Sequence, residues 1–182
     1  MTKKTIDGLK KQIIGCILVF VALGCISCTR ATYSLDNYPD MPLLDTEEIA
    51  QLTADEEPLV KYLVAALFEE KGAEARKRGK KYRYYIKVLG KNPAPNILAN
   101  LHDERISLRP ASAGRHRDGI VYDPDMDWSE LYSISSIEID DGNAKVQVSF
   151  YKHGLGSVGY EYRLIRKEGV WEFVGSKLLW IS

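Results

Sequence analysis

The chain has 182 residues, with 25 Lys and Arg against 25 Asp and Glu. That length fits one domain plus extra segments, and 45% hydrophobic with 27% charged residues excludes a disordered or fibrous chain. A net charge of zero argues against a generally polyanion-binding basic protein. All three Cys lie within the first 28 residues, which leaves no cysteine for a zinc site or disulfide in the rest of the chain.

The N-terminus reads as an address. Lys3, Lys4, Lys10 and Lys11 form a basic region, and Ile13 to Ile26 is an uncharged apolar run. That run falls short of the ~20 residues a membrane span needs and has the length of a secretory signal core. It ends in Ala22-Leu23-Gly24-Cys25-Ile26-Ser27-Cys28. Small residues before a Cys at such a position resemble a bacterial lipoprotein lipobox. Cys25, preceded by Gly24, fits the pattern slightly better. Cleavage at Cys28 would instead leave no unpaired thiol in an oxidising compartment. The resemblance implies an exported protein of the bacterial cell envelope, held at the membrane by an N-terminal lipid, in the outer membrane if the cell is Gram-negative. Removing residues 1–28 leaves 21 basic and 24 acidic residues.

Residues 29–45 carry Pro39 and Pro42 without a hydrophobic period and read as a tether that partly packs on the domain. Thr46 is expected to cap a short turn with Ile49 and Leu52 on one face. Asp55 is expected to cap a longer helix with Glu56, Glu57 and Pro58 in its first turn. Leu59, Leu63, Ala66 and Leu67 form its apolar stripe, and Gly79 closes it.

Tyr82 to Leu89 alternates, with Tyr82, Tyr84, Ile86 and Val88 on one face and Arg83, Tyr85 and Lys87 on the other, as in a strand half-exposed to water. Pro95 opens a short helix, Ile106 to Leu108 is extended, and residues 111–127 read as loop. Four strands then follow: Leu131 to Ile139, a second carrying Val146, Val148 and Phe150, a third carrying Tyr160, Tyr162 and Leu164, and Val170 to Ile181. Tight turns at Asp141-Gly142 and Glu168-Gly169 join the first pair and the last pair, so the four make an antiparallel meander.

Helices first and a mainly antiparallel sheet after define an α+β plan. Over residues 46–182 its element order resembles the NTF2-like (cystatin-like) superfamily, whose N-terminal helices pack into a strongly curved sheet. Only one strong strand precedes Pro95, where that superfamily usually places a hairpin. The segments at Tyr84–Pro93, Leu108–Ser112 and Tyr162–Trp171 are similar to those of uncharacterised secreted proteins and lipoproteins of this plan, which imply no activity. In an NTF2-like cone, Tyr84, Tyr160 and Tyr162 would line a pocket, with Trp171, Phe173, Phe150 and Leu164 filling the core.

Motifs with chemical meaning are few. Residues 154–159 spell G-x-G-x-x-G, but an alternating strand follows where a dinucleotide site needs a helix. Asp123, Asp125 and Asp127 have the spacing of a calcium loop but lack its Gly at position 6 and Glu at position 12. His102, His116 and His153 show no helical zinc spacing, though Asp103 and Glu104 could orient His102 as a general base. From Lys71 to Lys87 there are eight basic residues, among them Lys80, Lys81 and Arg83, and one acidic residue. Export argues against nucleic acid as their partner. The reading that follows is a non-catalytic envelope lipoprotein, without metal or cofactor, that binds a small ligand, peptide or protein. An enzyme using a His acid/base in the sheet concavity and an immunity or inhibitor protein docking a toxin through Lys71–Lys87 are the alternatives.

Overall fold

A computed structural model describes residues 41–117, 119–152 and 156–182. Helix α1 spans Glu56–Arg78. Its start is a capping box: the Thr53 hydroxyl accepts from the Glu56 N–H at 3.3 Å, and the Glu56 carboxylate accepts from the Thr53 N–H at 2.8 Å. Thr53 is therefore the cap in place of the expected Asp55, whose side chain makes no capping bond and pairs instead with Arg166 at 2.7 Å. Glu56 and Glu57 at the start and Arg76, Lys77 and Arg78 at the end complement the helix dipole. Gly79, at φ 65°, ends the helix, its N–H donating to Arg76 while that of Lys80 reaches back to Ala75. This is a Schellman closure.

The buried stripe of α1 is Leu59, Val60, Leu63, Val64, Leu67 and Phe68. Ala66, expected on that stripe, is exposed. The pairs recur every four residues, so the stripe covers two adjacent rows rather than one. Burying each such side chain contributes about 1.5–3 kcal/mol.

The stripe packs on a six-stranded sheet. In chain order the strands are β1 (Met41–Pro42), β2 (Tyr82–Val88), β3 (Ile106–Pro110), β4 (Arg115–Arg117), β5 (Ile120–Tyr122), β6 (Trp128–Asp140), β7 (Asn143–Tyr151), β8 (Ser157–Lys167) and β9 (Val170–Ile181). A four-residue helix α2, Pro95–Leu98, stands between β2 and β3. The large sheet runs β3-β2-β6-β7-β8-β9. Strands β6 to β9 form the expected antiparallel meander. Strand β2 is parallel to both its neighbours, β3 and β6, so the sheet is mixed. Bulges interrupt β6–β7 between Ile134 and Ser136, and β8–β9 at Gly159/Tyr160 and Arg163/Leu164. Each bends its strand and increases the local twist.

Two expectations change. The Thr46 hydroxyl accepts from the Glu48 N–H at 3.0 Å as expected, but residues 46–52 form no helix and Ile49 makes an isolated bridge to Asn92. Residues 111–127 are more than loop: after a 3-10 turn at Ala111–Ala113, β4 and β5 join β1 in a second, three-stranded sheet. Between this sheet and the face of β2 and β6 turned away from α1 lies a second core of Tyr85, Ala111, Val121 and Leu131, with Leu43, Leu44 and Tyr151 packed against it. Tyr85 is consequently buried, and β2 carries core residues on both faces.

Candidate functional site

The helix-facing side of the sheet, under the C-terminal half of α1, collects charge and tyrosine hydroxyls in one place. Lys71 comes from α1, Tyr84 from β2, Glu130 and Tyr132 from β6, Phe150 from β7, and Tyr162 from β8. The Lys71 ammonium lies 5.7 Å from the centre of the Phe150 ring, which in turn lies 5.0 Å from Tyr132. Tyr160 and Tyr162 follow at 6.1 Å from each other, and Tyr162 meets Phe173 edge-on at 5.3 Å.

The electrostatics of this cluster come from burial. Removal from water raises the Glu130 carboxyl above its ordinary range, against the opposing pull of Lys71, the Trp128 N–H, Lys152 and Tyr84. For Lys71, burial disfavours the ammonium, but the carboxylates of Glu70, Glu74 and Glu130 outweigh it and the net shift is upward. Lys71 is thus held charged, the opposite of what a nucleophilic lysine needs. Lys152 sits 3.0 Å from the centre of the Trp128 ring, its pKa lowered mainly by burial. Desolvation pushes the Tyr84, Tyr132 and Tyr162 phenols upward, so all three remain neutral donors. These groups are packed together beneath α1, where Tyr84 and Tyr132 are each 1% exposed.

The structure brings Tyr84 and Tyr162 into this cluster and sets Tyr160 beside it. Tyr84 is 1% exposed and belongs to the core beneath the helix, while Tyr160 and Tyr162 are half-buried. The same sheet face continues into the well-exposed Leu178 and Ile181, which lie opposite Tyr160 and Val158. Lys71 and Glu130 were hidden in the sequence. The first reads as one of a run of surface cations, and the second as a carboxylate beside the calcium-like run, just ahead of the strand expected at Leu131.

Half of the basic stretch is held in ion pairs. Lys71, Arg76, Arg78 and Arg83 pair with carboxylates of Glu70 and Glu74, Asp103, Glu74 and Asp123 respectively. Lys80 and Lys81 are exposed, and the Lys81 N–H donates to Asp127 at 2.8 Å. Arg83 points to the other side of β2, where it donates to Asp123. Asp123 also accepts from the Tyr85 hydroxyl and the Asp125 N–H. Two carboxylates of the calcium-like run are thereby engaged by donors of the protein, and among the described residues no three His, Cys, Asp or Glu side chains converge as metal ligands.

His102 is exposed beyond α2, and His116 lies on β4, where it pairs with Met41. His153, Cys25 and Cys28 lie outside the described residues, as do Gly154 and Leu155 of the glycine pattern. Strand β8 begins at Ser157, inside that pattern. No helix among the described residues is long and apolar enough to cross a membrane. Comparison with protein-family models, with curated proteins and with solved structures finds no match for this chain.

Proposed function

We propose that this chain is an exported lipoprotein of the bacterial cell envelope, anchored by lipid on Cys25 or Cys28, whose domain binds a small ligand, peptide or protein partner without chemical turnover. The observation that carries it is the basic region at Lys3–Lys11, followed by the apolar run Ile13–Ile26 and small residues before cysteine. An acylated N-terminal cysteine bears several chains, enough for stable anchoring. The binding role rests on the tyrosine-lined, helix-facing side of the sheet, where Lys71 and Glu130 supply polar groups within an apolar setting. The finer reading of the fold is an NTF2-like cone, supported by one long helix laid across a bulged sheet that ends in a four-strand meander.

Metabolic labelling with radioactive palmitate tests the anchor. The full chain takes up label, and either Cys25→Ser or Cys28→Ser abolishes it, which also identifies the modified residue. An unlabelled wild-type chain, with a location unchanged by both substitutions, overturns the reading.

A further inference from the structure

Strand β9 is the twelve-residue outer strand of the large sheet, and among the described residues no strand lies on its far side. The opposite edge, β3, is only five residues long and ends in Pro110, which has no N–H to offer. A long edge strand presents a row of unpaired backbone donors and acceptors, which proteins usually blunt with charge, proline or a covering element. On β9 the Tyr62 hydroxyl of α1 accepts from the Phe173 N–H at 3.3 Å, while large apolar side chains stand exposed along the strand. Val170, Val174, Leu178, Trp180 and Ile181 are 59%, 55%, 50%, 46% and 59% exposed.

The register with β8 sorts β9 into faces. Val170, Glu172, Gly175, Lys177 and Trp180 pair with Lys167, Ile165, Arg163, Glu161 and Gly159, alternate residues of β8, so these five share one face. Val174 and Leu179 fall at the two breaks in register and stand outside this alternation. Along that face the order is apolar, acidic, glycine, basic, apolar. Reversing the strand about Gly175 sets Glu172 against Lys177 and Val170 against Trp180. On the other face the same reversal sets Trp171 against Leu178 and Phe173 against Ser176. A two-fold axis through Gly175 therefore makes the strand complementary to itself, as an isologous interface requires.

We propose that two copies of this chain associate through antiparallel pairing of their β9 strands, centred on Gly175. Lys177 makes no ion pair within its own chain among the described residues, whereas the Glu172 carboxylate is held by Lys167 at 2.8 Å through one oxygen. Its second oxygen serves the partner's Lys177. Gly175 leaves open space where a Cβ would stand, and Arg163, Val174, Gly175, Ser176 and Lys177 border a shallow dent of about 380 Å³. The two copies meet at that dent, where side chains are smallest and backbones approach most closely. The pairing continues the main sheet across the axis and covers the exposed apolar end of β9.

Sedimentation of the full chain in non-ionic detergent, over a concentration series, tests this. Wild type is expected to be a dimer. Glu172→Lys and Lys177→Glu, each made alone, set like charges against each other twice per interface, once on each side of the axis, and weaken dimerisation at least tenfold. The double variant Glu172→Lys/Lys177→Glu restores the opposite signs and recovers most of that loss. Leu178→Lys, at an exposed position outside the charge pair, also gives monomer with an unchanged thermal melt, and it carries the test if either reversal disturbs the fold. A wild-type monomer throughout the micromolar range overturns the proposal, as does a dimer indifferent to Leu178→Lys and to both reversals. A double variant as weak as the singles overturns the register.

Discussion

The Tyr85 hydroxyl donates to the Asp123 carboxylate at 2.8 Å, on the side of β2 turned away from the helix. Arg83, two residues earlier on the same strand face, donates to the same carboxylate, whose side chain is only 5% exposed. The second core is thus closed by a charged group that links β2 to the segment after β5. Burial raises the Asp123 carboxyl, but Tyr85, the Asp125 N–H and Arg83 together outweigh it, and the net shift is below 3.8. The same bond and the same burial push the Tyr85 phenol up to about 12.

Asp123→Asn removes one partner of a buried pair and leaves the Arg83 cation uncompensated, which costs about 3–5 kcal/mol. A carboxyl depressed on folding adds stability above its ordinary value of 3.8 and loses it as the pH falls through its folded value. Urea unfolding across a pH series should therefore show the gap between wild type and variant wide at neutral pH and closing in acid. A gap that stays constant down the series would mean that shape, and not charge, sets the cost.

Glu130 has the opposite sign. Its carboxyl is raised above 4.5 by burial, so the folded state holds the proton more tightly than the unfolded chain does. Stability attributable to this group falls as pH rises from 4.5 through the folded value, after which the penalty is constant. Glu130→Gln abolishes that decline while keeping the size of the side chain. The variant should equal or exceed wild type in stability at pH 7 and lose the advantage toward pH 4. Lys71 keeps Glu70 at 3.2 Å and Glu74 at 3.7 Å, so it is not stranded.

The C-terminal meander was legible because alternation and turn chemistry agree there. Val146, Val148 and Leu164 are buried on one face, and Asp141-Gly142 and Glu168-Gly169 supply the positive φ the turns need. The small sheet was not legible, because β4 and β5 are three residues long and β4 is basic throughout, and no period can register over that length. Tyr85 misled for a related reason. Arg83 and Lys87 flank it and suggest water, while its burial depends on β4, β5 and Leu43 folding back from distant parts of the chain. Parallel pairing of β2 on both sides is likewise set by crossovers, which leave no local mark in a seven-residue strand. Of the candidate site, the tyrosines showed through their alternation, whereas Lys71 and Glu130 depend on α1 crossing β6, a tertiary fact.

Two glycines admit no side chain, for different reasons. A Cβ at Gly114 would meet the Tyr85 ring at 2.8 Å and collide with Leu43 within the second core. At Gly159 it would collide with the Trp180 indole, a side chain that is 46% exposed rather than locked in the core. Gly114→Ala should therefore cost about 1–3 kcal/mol, the usual range for overpacking. Gly159→Ala should cost less and shift the tryptophan fluorescence as the indole moves into water. The order of the two thermal melts checks the argument, and Gly159→Ala melting below Gly114→Ala contradicts it.

The start of α1 separates two residues that both look like caps. Thr53 satisfies the Glu56 N–H with its hydroxyl and receives the Glu56 carboxylate on its own backbone N–H, so Thr53→Ala removes the first of these bonds and leaves the second. The loss is about 1 kcal/mol, typical of a removed N-cap. Asp55→Ala leaves every capping bond in place and removes only an ion pair with Arg166, whose side chains are 63% and 37% exposed. Exposed pairs of that kind contribute little and are screened by salt. Melting both variants at low and high salt distinguishes the roles. The Thr53→Ala deficit persists at both ionic strengths, while any Asp55→Ala deficit is small and fades as salt is added. A salt-sensitive loss at Thr53, or a larger loss at Asp55, would return the cap to Asp55.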